Sequence, residues 1–530
     1  MLAFVATSIV TPSARSQAPQ PLAVEADDGD AGLPVPVEGD GEESGGAVAL
    51  PIAPADPAAR DAWLARELDR TIALAPALAR ATVAATVVDV DSGRVLWSHD
   101  AETGVNLASV TKVLTAASAL RTLGAGFRWH TTVYGQKFDP ATGEVGGDLI
   151  VRGRGDPTLV KADLAELARQ LRWQGVKRVR GDLVFDGSYF DDVDEPPRFD
   201  DQPTERAGFR APIGAASLER NSVTVVVVAD RVDLGLAQVT LDPDPGDYVR
   251  LVDTTVVTVA TGRTRIAVGT VIKRDHIELR VTGQIAAGDG VSFVRRRIDD
   301  PVRLFGEGLR IALDAAGIRV RGKGIARRAL PTTSDPELVV LAEHDSRPLA
   351  EIVRDMAKTS DNYIAETVLK TTGAEARAAA GTPGPGTWAD GVAALYQTLL
   401  DAGVPAGSFR VENGSGLFDS SSVSASAVAK VLVAAWHDFR VGPELVTALS
   451  TSGVDGTLRR RLGEPELRGR VRAKTGTLAT VTALAGYAAT DSARPVAFVV
   501  IVNALPAGGR AEARRVQDSI AALAVAYSAR

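Results

Sequence analysis

The segment 131–339 has a secondary-structure pattern that differs from the segments on either side of it. It consists of short runs rich in β-branched residues, such as NSVTVVVV and HIELRVTGQI, separated by Gly, Asp and Pro. Runs of this kind predict strands joined by turns. The preceding segment predicts a helix, a hairpin and a second helix, and the chain closes with two strand-like runs and a helix. We therefore predict an α/β fold in which residues 59–130 and 340–530 form one domain, interrupted by a β-rich insertion at 131–339.

The composition is that of a large globular protein. With 530 residues, the chain exceeds what one hydrophobic core usually organises. Its apolar share of 45% and charged share of 24% are ordinary globular values. The net charge is -7 and the basic residues are dispersed along the chain. This distribution argues against nucleic acid as the main partner.

The N-terminal segment predicts export followed by a tether. Residues 1–18 read as a possible signal peptide, because LAFVATSIV has the length of its apolar region and SQA ends in small residues at Ala18. Basic residues before the apolar run are lacking. Residues 19–58 are rich in Pro, Gly, Ala and acids without an aromatic residue, so we predict an acidic disordered tether. We expect a periplasmic or otherwise exported protein with no integral membrane segment, since no run approaches roughly 20 apolar residues.

Cysteine and histidine chemistry is restricted by the composition. The chain contains no cysteine, which excludes thiol nucleophiles, cysteine-bound zinc and disulfides. None of its five histidines forms an HExxH motif or another close pair, so a zinc site or a His-based triad would need distant pairing. His344 in EHDSRP has an acid and a serine beside it, but sequence neighbours seldom have triad geometry. We interpret His344 as a polar loop contact.

Three short motifs carry the chemistry that the composition leaves open. Each is weak alone, whereas all three in this order would be an unlikely accident. They are Ser109-Val110-Thr111-Lys112, Ser360-Asp361-Asn362 and Lys474-Thr475-Gly476-Thr477.

The first motif predicts a serine nucleophile with a lysine base. Positions i and i+3 share a helix face, so Lys112 can reach the hydroxyl of Ser109. A serine hydroxyl needs a base, and a lysine serves only if its amine can be neutral. Burial and the nearby charge of Lys474 would both lower the pKa of Lys112. The start of a helix also favours developing negative charge at Ser109.

The second motif predicts a proton carrier and a substrate amide. Ser360 can pass a proton between a lysine and the leaving amine, while Asn362 can bind both Lys112 and a substrate carbonyl. A purely structural alternative is that Ser360 or Asp361 caps the helix NYIAETVL, and capping is compatible with catalysis. We assign Asp361 mainly to structure.

The third motif predicts a substrate-binding strand. It precedes a β-like run, so an edge strand could present Lys474, Thr475 and Thr477 to an extended peptide by strand addition. The lysine and the threonine hydroxyls suit a terminal carboxylate. Backbone N–H groups of Ser109 and Thr477 would form the oxyanion hole.

With the three motifs placed, the chain resembles the low-molecular-mass class C penicillin-binding proteins, the D-alanyl-D-alanine carboxypeptidase/endopeptidase family. The resemblance runs from about residue 60 to the C-terminus and includes GRGDPTL, FDGSYFDD, APIGAASLERNSVTVVV, NGSGLF and GRVRAKTGTL. It implies a serine β-lactamase/transpeptidase-like domain, an antiparallel sheet flanked by helices, with an insertion of two subdomains between the first two motifs. It also implies hydrolysis of D-Ala-D-Ala bonds or cross-links in peptidoglycan stem peptides through acylation of Ser109. β-Lactams would acylate the same serine, and no metal or organic cofactor is expected.

One loop departs from the family pattern. Family members commonly read DGSGLSR where this chain reads NGSGLFDSS, which places Asn413 at the first aspartate and Asp419 at the arginine. In relatives this loop lies near the pocket for the substrate side chain. The change therefore bears on which residue is recognised at the third stem-peptide position, and leaves the acylation residues intact.

Two other functions compete with this interpretation. A serine β-lactamase would need a deacylating glutamate, for which GEPELRG at 463–469 is a candidate. That segment lies just before Lys474 and lacks the expected asparagine, so we interpret it as a solvated turn. A non-catalytic cell-wall binding protein would be expected to have lost at least one motif. The sequence does not indicate an oligomeric state.

Overall fold

The computed structural model describes residues 49–328, 337–489 and 495–528. The predicted signal peptide and most of the predicted tether lie outside these residues. Of the tether, residues 49–58 are described, and the first helix already begins at Pro57.

The regular elements include two helices inside the segment predicted as a β-rich insertion, Lys161–Trp173 and Pro301–Ala315. The helices are α1 Pro57–Ala73, α2 Thr111–Leu123, α3 Lys161–Trp173, α4 Pro301–Ala315, α5 Leu349–Thr359, α6 Asn362–Ala379, α7 Trp388–Asp401, α8 Ala425–His437, α9 Gly442–Ala448 and α10 Arg510–Ser528. The strands are β1 Thr82–Asp89, β2 Val95–His99, β3 His130–Gln136, β4 Phe138–Asp139, β5 Glu144–Val145, β6 Leu149–Arg152, β7 Arg178–Val179, β8 Leu183–Asp186, β9 Ser222–Val228, β10 Gln238–Asp242, β11 Val249–Asp253, β12 Val256–Val259, β13 Arg265–Ile272, β14 Ile277–Ala286, β15 Val291–Arg297, β16 Arg319–Val320, β17 Ile325–Arg327, β18 Leu338–Asp345, β19 Arg410–Val411, β20 Ser421–Ser422, β21 Ser450–Thr451, β22 Val471–Leu478, β23 Val481–Ala488 and β24 Val496–Asn503.

The two ends of the chain form one six-stranded sheet. Its order is β2-β1-β24-β23-β22-β21, and every neighbouring pair is antiparallel. Val87 of β1 lies opposite Trp97 of β2 on one side and Phe498 of β24 on the other. The predicted opening hairpin and closing strands are therefore neighbours in the fold.

Both faces of this sheet are covered by helices. Alternate residues of β24 point to opposite faces, as the pleat requires. Val499 and Ile501 lie in a core shared with α2, α5, α6, α7 and α8, whereas Phe498 and Val500 lie in a core shared with α1 and α10. The strand is consequently apolar on both sides. This antiparallel sheet flanked by helices confirms the predicted fold class.

The inserted strands form further sheets with a core of their own. Their orders are β10-β9-β15, β11-β14-β12 with β13 also on β14, β16-β7-β5-β4, and β17-β8-β6-β3-β18. Buried residues from Val133 to Ala342 make one contiguous hydrophobic cluster. β3 pairs with β18, so the two ends of the insertion are adjacent, and the predicted boundary at 339/340 falls inside β18. The exact domain limits and the two subdomains stay predictions.

His344 lies in strand β18 and not in a loop. Its Nε2 is 3.3 Å from Oδ2 of Asp156, and its Nδ1 is 3.9 Å from Oδ1 of Asp163. The hydrogen bond to Asp156 is the main cause that raises the pKa of His344. The side chain therefore links β18 to the GRGDPTL segment. Within the described parts of the chain, no helix is both long and apolar enough to cross a membrane.

Candidate active site

Ser109 and Lys112 lie at the start of helix α2. A single 3₁₀ turn, Ala108–Val110, carries Ser109 and leads directly into α2. Ala108 adopts a positive φ of 47° just before the serine. Helical spacing then brings Nζ of Lys112 to 2.9 Å from Oγ of Ser109.

The amine of Lys112 is buried and has three oxygen neighbours. The side chain is 0% exposed. Besides Ser109, its Nζ lies 2.7 Å from Oδ1 of Asn362 and 3.0 Å from the carbonyl oxygen of Ser415. These partners come from three separate parts of the chain, which meet at the lysine.

Burial makes the Lys112 amine easy to deprotonate. Loss of solvation lowers the pKa of Lys112 to about 7, although the negative charges of Glu366 and Asp361 oppose that change. A large part of the amine is consequently neutral near pH 7. A neutral amine has a lone pair that can accept a proton from a hydroxyl.

Ser360 and Asn362 lie at the junction of two helices. Ser360 ends α5 in the left-handed region with φ 62°, and α6 begins two residues later. Asp361 caps α6, because its carboxylate accepts a hydrogen bond from the backbone N–H of Ile364 at 2.8 Å. Asp361 is also 3.3 Å from Arg220 of the insertion. The predicted capping role is confirmed for Asp361.

Lys474 is a second buried lysine on the other side of the site. Its Nζ donates to Oγ of Ser360 at 2.8 Å and to the carbonyl oxygen of Thr475 at 2.8 Å. Burial lowers the pKa of Lys474 well below its usual value, and the charge of Lys112 lowers it further. The structure thus brings Ser109, Lys112, Asn362, Ser360 and Lys474 into one cluster.

Strand β22 carries the third motif and has an open edge. β23 pairs along the whole strand, whereas β21 pairs only with Arg472 and Ala473. Among the described strands, none covers the other edge of the segment 474–478. Thr475 and Thr477 are partly exposed there, and Oγ1 of Thr475 donates to Oγ1 of Thr457 at 2.8 Å.

Gly476 allows β22 to approach the turn that carries the serine. A Cβ atom built on this glycine would lie 2.9 Å from the carbonyl oxygen of Leu107 and 3.1 Å from Cβ of Ala108. Any larger residue would press the strand away from the start of α2. The residue is thus required by a close approach of two backbones.

Two residues of the loop that departs from the family pattern, Asn413 and Asp419, have different roles. Asn413 is fully buried and holds the loop together, because its Oδ1 accepts from the Gly416 N–H at 2.9 Å. Asp419 is exposed and lies 3.4 Å from Arg410. Arg410 shares Glu412 with Arg198 of the insertion. Asp419 is therefore paired with a cation of its own strand–loop segment, Arg410.

Two contributors were not predicted from the sequence. Ser415 supplies the carbonyl oxygen next to Lys112, and the buried carboxylate of Glu366 accepts hydrogen bonds from the backbone of the same loop. A signal for Glu366 did exist, since it lies four residues after Asn362 and so shares its helix face. No comparable signal marks a backbone carbonyl.

The segment 463–469 lies away from this cluster. Leu467 belongs to the core beneath α1 and α10, on the sheet face opposite α2. Glu466 is exposed in a turn. The interpretation of this segment as a turn is consistent with that position. Within the described residues, no group of three or more His, Asp or Glu side chains could hold a metal ion.

A buried lysine beside a serine, on a helix packed against an antiparallel sheet, is characteristic of serine-type hydrolases with the transpeptidase-like fold. The sequence signature of the D-Ala-D-Ala carboxypeptidase 3 (S13) family spans residues 64–527. The chain belongs to this family and is a serine-type hydrolase. The predicted family and enzyme class are confirmed.

Individual relatives agree with this assignment. The D-alanyl-D-alanine carboxypeptidase of Actinomadura sp. is 32% identical over 429 residues, covering 78% of this chain and 76% of the relative. The D-alanyl-D-alanine carboxypeptidase DacB of Haemophilus influenzae is 27% identical over 426 residues, covering 79% and 85%. The crystal structure of penicillin binding protein 4 from Haemophilus influenzae matches with a TM-score of 0.69 at 22% identity, over 84% of this chain and 97% of that one. This last similarity concerns the fold.

Proposed function

We propose that this enzyme cleaves the D-Ala-D-Ala bond of peptidoglycan stem peptides, as a carboxypeptidase, an endopeptidase or both, through an acyl-enzyme on Ser109. The observation that carries the proposal is the contact between the buried Lys112 amine and Oγ of Ser109 at 2.9 Å. A serine hydroxyl in that position has a base within hydrogen-bond reach, which is the first requirement for a nucleophile.

Acylation begins at Ser109. The neutral amine of Lys112 takes the hydroxyl proton while Oγ attacks the carbonyl carbon of the penultimate D-Ala. The carbonyl oxygen becomes an oxyanion, which the backbone N–H groups of Ser109 and Thr477 stabilise. Electrostatic stabilisation of this kind is usually one of the largest contributions to acyl transfer.

Collapse of the tetrahedral intermediate releases the terminal D-Ala. The C–N bond breaks, and the proton that Lys112 took passes to the leaving amine through Oγ of Ser360, which Lys474 contacts at 2.8 Å. Lys112 is then neutral again. A water molecule then attacks the ester carbon and gives a proton to the Lys112 amine. The ester C–O bond breaks, and Lys112 passes that proton to Oγ of Ser109. The overall reaction consumes one water and yields two peptides, or a peptide and D-Ala.

The open edge of β22 is the proposed substrate-binding strand. An extended peptide can add to an unpaired edge through main-chain hydrogen bonds. Lys474 and the hydroxyls of Thr475 and Thr477 would bind the terminal carboxylate, and Gly476 would keep the strand close to Ser109. β-Lactams, which carry a carboxylate and a reactive carbonyl, would occupy the same place and acylate Ser109. A second crystal structure of the Haemophilus penicillin binding protein 4 is a complex with a β-lactam.

A substrate in the cell wall requires a protein outside the cytoplasm, so the proposal includes export to the periplasm or its equivalent. The balance between carboxypeptidase and endopeptidase action belongs to the same proposal. Defined muropeptides, monomeric and cross-linked, with different residues at the third stem position, would measure that balance in wild type. The same set with Asp419→Arg would measure the effect of Asp419. Mass spectrometry identifies the products.

Labelling with a fluorescent penicillin tests the central step. Wild type should be labelled, and Ser109→Ala should not. Ser118→Ala is a matched control, because Ser118 is a buried serine on the same helix whose Oγ has no hydrogen-bond partner in the described structure. Equal labelling of Ser109→Ala and Ser118→Ala would refute the proposed function.

A further inference from the structure

Glu366 is a buried carboxylate whose two oxygens are both engaged. It is 1% exposed. Oε1 accepts from the backbone N–H of Ser415 at 2.8 Å. Oε2 accepts from the backbone N–H of Gly414 at 2.9 Å and from the indole N–H of Trp388 at 3.1 Å. The carboxylate therefore fixes two successive peptide units of the loop 413–417.

That loop supplies one of the three oxygens around Lys112. The Ser415 carbonyl oxygen lies 3.0 Å from Nζ, and Oδ1 of Asn362 lies 2.7 Å from it. A neutral amine has two N–H bonds and one lone pair. If both N–H groups donate to these two carbonyl oxygens, the lone pair is left to face Oγ of Ser109 at 2.9 Å. A base must present its lone pair to the proton that it removes.

We propose that Glu366 is a positioning residue for acylation: it holds the Ser415 carbonyl so that the neutral Lys112 amine directs its lone pair at Ser109. This inference rests on the proposed function, in which Lys112 is the base. Glu366 does not act as a base itself, because the N–H groups of Gly414, Ser415 and Trp388 already occupy its oxygens.

The charge of Glu366 gives this role a measurable signature. Three charged groups face Lys112: Glu366 on α6, Asp361 at the N-cap of α6, and Lys474 on β22. Asp361 is already paired with Arg220 at 3.3 Å. Ionised Glu366 raises the pKa of Lys112 against the effect of burial. Burial also raises the pKa of Glu366 itself, and the hydrogen bonds from Ser415, Gly414 and Trp388 oppose that rise. Removing its charge should therefore lower the pKa of Lys112, which leaves more neutral amine at a given acidic pH.

The same face of α6 provides a control. Lys370 lies one turn beyond Glu366 and is also fully buried, with Nζ 4.0 Å from the ring centre of Trp388. It pairs with Asp191 of the insertion at 2.6 Å. Its hydrogen-bonding partners belong to the insertion, at Asp191 and the Val193 carbonyl. Lys370→Met therefore perturbs the surroundings of Trp388 without touching the loop 413–417.

The experiment measures the rate of acylation by a fluorescent penicillin as a function of pH. In Glu366→Gln the amide N–H₂ faces backbone N–H groups, so the loop shifts and the plateau rate should fall about tenfold or more. The acidic limb of the profile, the range in which the rate falls as the pH falls, should move to lower pH because the pKa of Lys112 is lowered. Glu366→Asp keeps the charge but is shorter, so its plateau should fall while its acidic limb stays near that of wild type. Lys370→Met should keep both features.

The outcomes separate this inference from the proposed function. A wild-type plateau and limb in both Glu366 variants would overturn the inference, as would the same limb shift in Lys370→Met. Should Glu366→Gln fail to fold, by circular dichroism, the plateau of Glu366→Asp decides. Labelling of Ser109→Ala at the wild-type rate would instead refute the proposed function, whatever the Glu366 variants show.

Discussion

The amide oxygen of Asn362 accepts a hydrogen bond from the Lys112 amine at 2.7 Å, although 250 positions separate the two residues in sequence. This contact fixes the orientation of the amide. Because Oδ1 is engaged by the lysine, Nδ2 is the group that Asn362 can offer to a substrate carbonyl. In the proposed function, one side chain thus connects the base to the substrate peptide.

Asn362→Asp should move the acidic limb of the acylation profile to higher pH. The substitution nearly preserves shape and places a negative charge beside Lys112, which raises its pKa. Stopped-flow acylation by a fluorescent penicillin over a pH series measures the limb. This shift is opposite in direction to that expected for Glu366→Gln. A shift of the limb to lower pH in Asn362→Asp would contradict the contact between Asn362 and the Lys112 amine.

The acylation rate of wild type should fall as the pH drops below about 7. Burial lowers the pKa of Lys112 to about 7, and only the neutral amine can remove the Ser109 proton. Lys112→Ala should lower the rate by about 10²- to 10⁴-fold, the usual contribution of a general base. A near-normal rate in that variant would remove Lys112 from the base role, and a pH-independent wild-type rate would do the same.

Gly476→Ala should slow acylation and destabilise the protein. The new Cβ would lie 2.9 Å from the Leu107 carbonyl oxygen, so β22 or the turn before α2 must move. We expect a loss of about 1–3 kcal/mol of unfolding free energy and a labelling rate lowered about tenfold or more. Gly463→Ala is the control, because its Cβ would be 3.8 Å from Cα of Gly453. Equal behaviour of the two variants would contradict the close approach at Gly476.

The buried ion pair between Arg461 and Asp518 should matter for stability and not for acylation. The two side chains are 2.7 Å apart and 5% and 2% exposed. Arg461→Met leaves Asp518 buried without its partner, which should cost about 3–5 kcal/mol in urea unfolding. The double variant Arg461→Met/Asp518→Leu should recover most of that loss. Since the pair lies near α10, on the sheet face opposite Ser109, labelling of the folded variants should match wild type.

Much of the peptidase fold could be predicted from local pattern. Periodicity indicates the hairpin at β1 and β2, the strands β23 and β24 and the helix α10, and their order implies one domain. The position of β18 is not indicated, because its pairing with β3 depends on contacts across the whole insertion. The interpretation of His344 as a loop contact is wrong for that reason, since His344 lies in this strand.

The sequence predicts those parts of the site that are formed by side chains of the three motifs. The motifs named Ser109, Lys112 and Lys474, which the fold brings into one cluster. The carbonyl oxygen of Ser415 has no sequence signature, since every residue has one. The sequence does not predict the burial of Glu366, because a glutamate on a helix is ordinarily exposed. Only the fold shows that its side chain is 1% exposed beneath the loop 413–417.

The most direct test of the account is the site of covalent attachment by penicillin. Wild type is incubated with penicillin G, quenched with acid and digested, and peptide mass spectrometry locates the adduct. We predict one penicilloyl group, on the Ser109 side chain, and none in Ser109→Ala. An adduct on another residue would contradict the account. So would the absence of any adduct under conditions that label a known penicillin-binding protein.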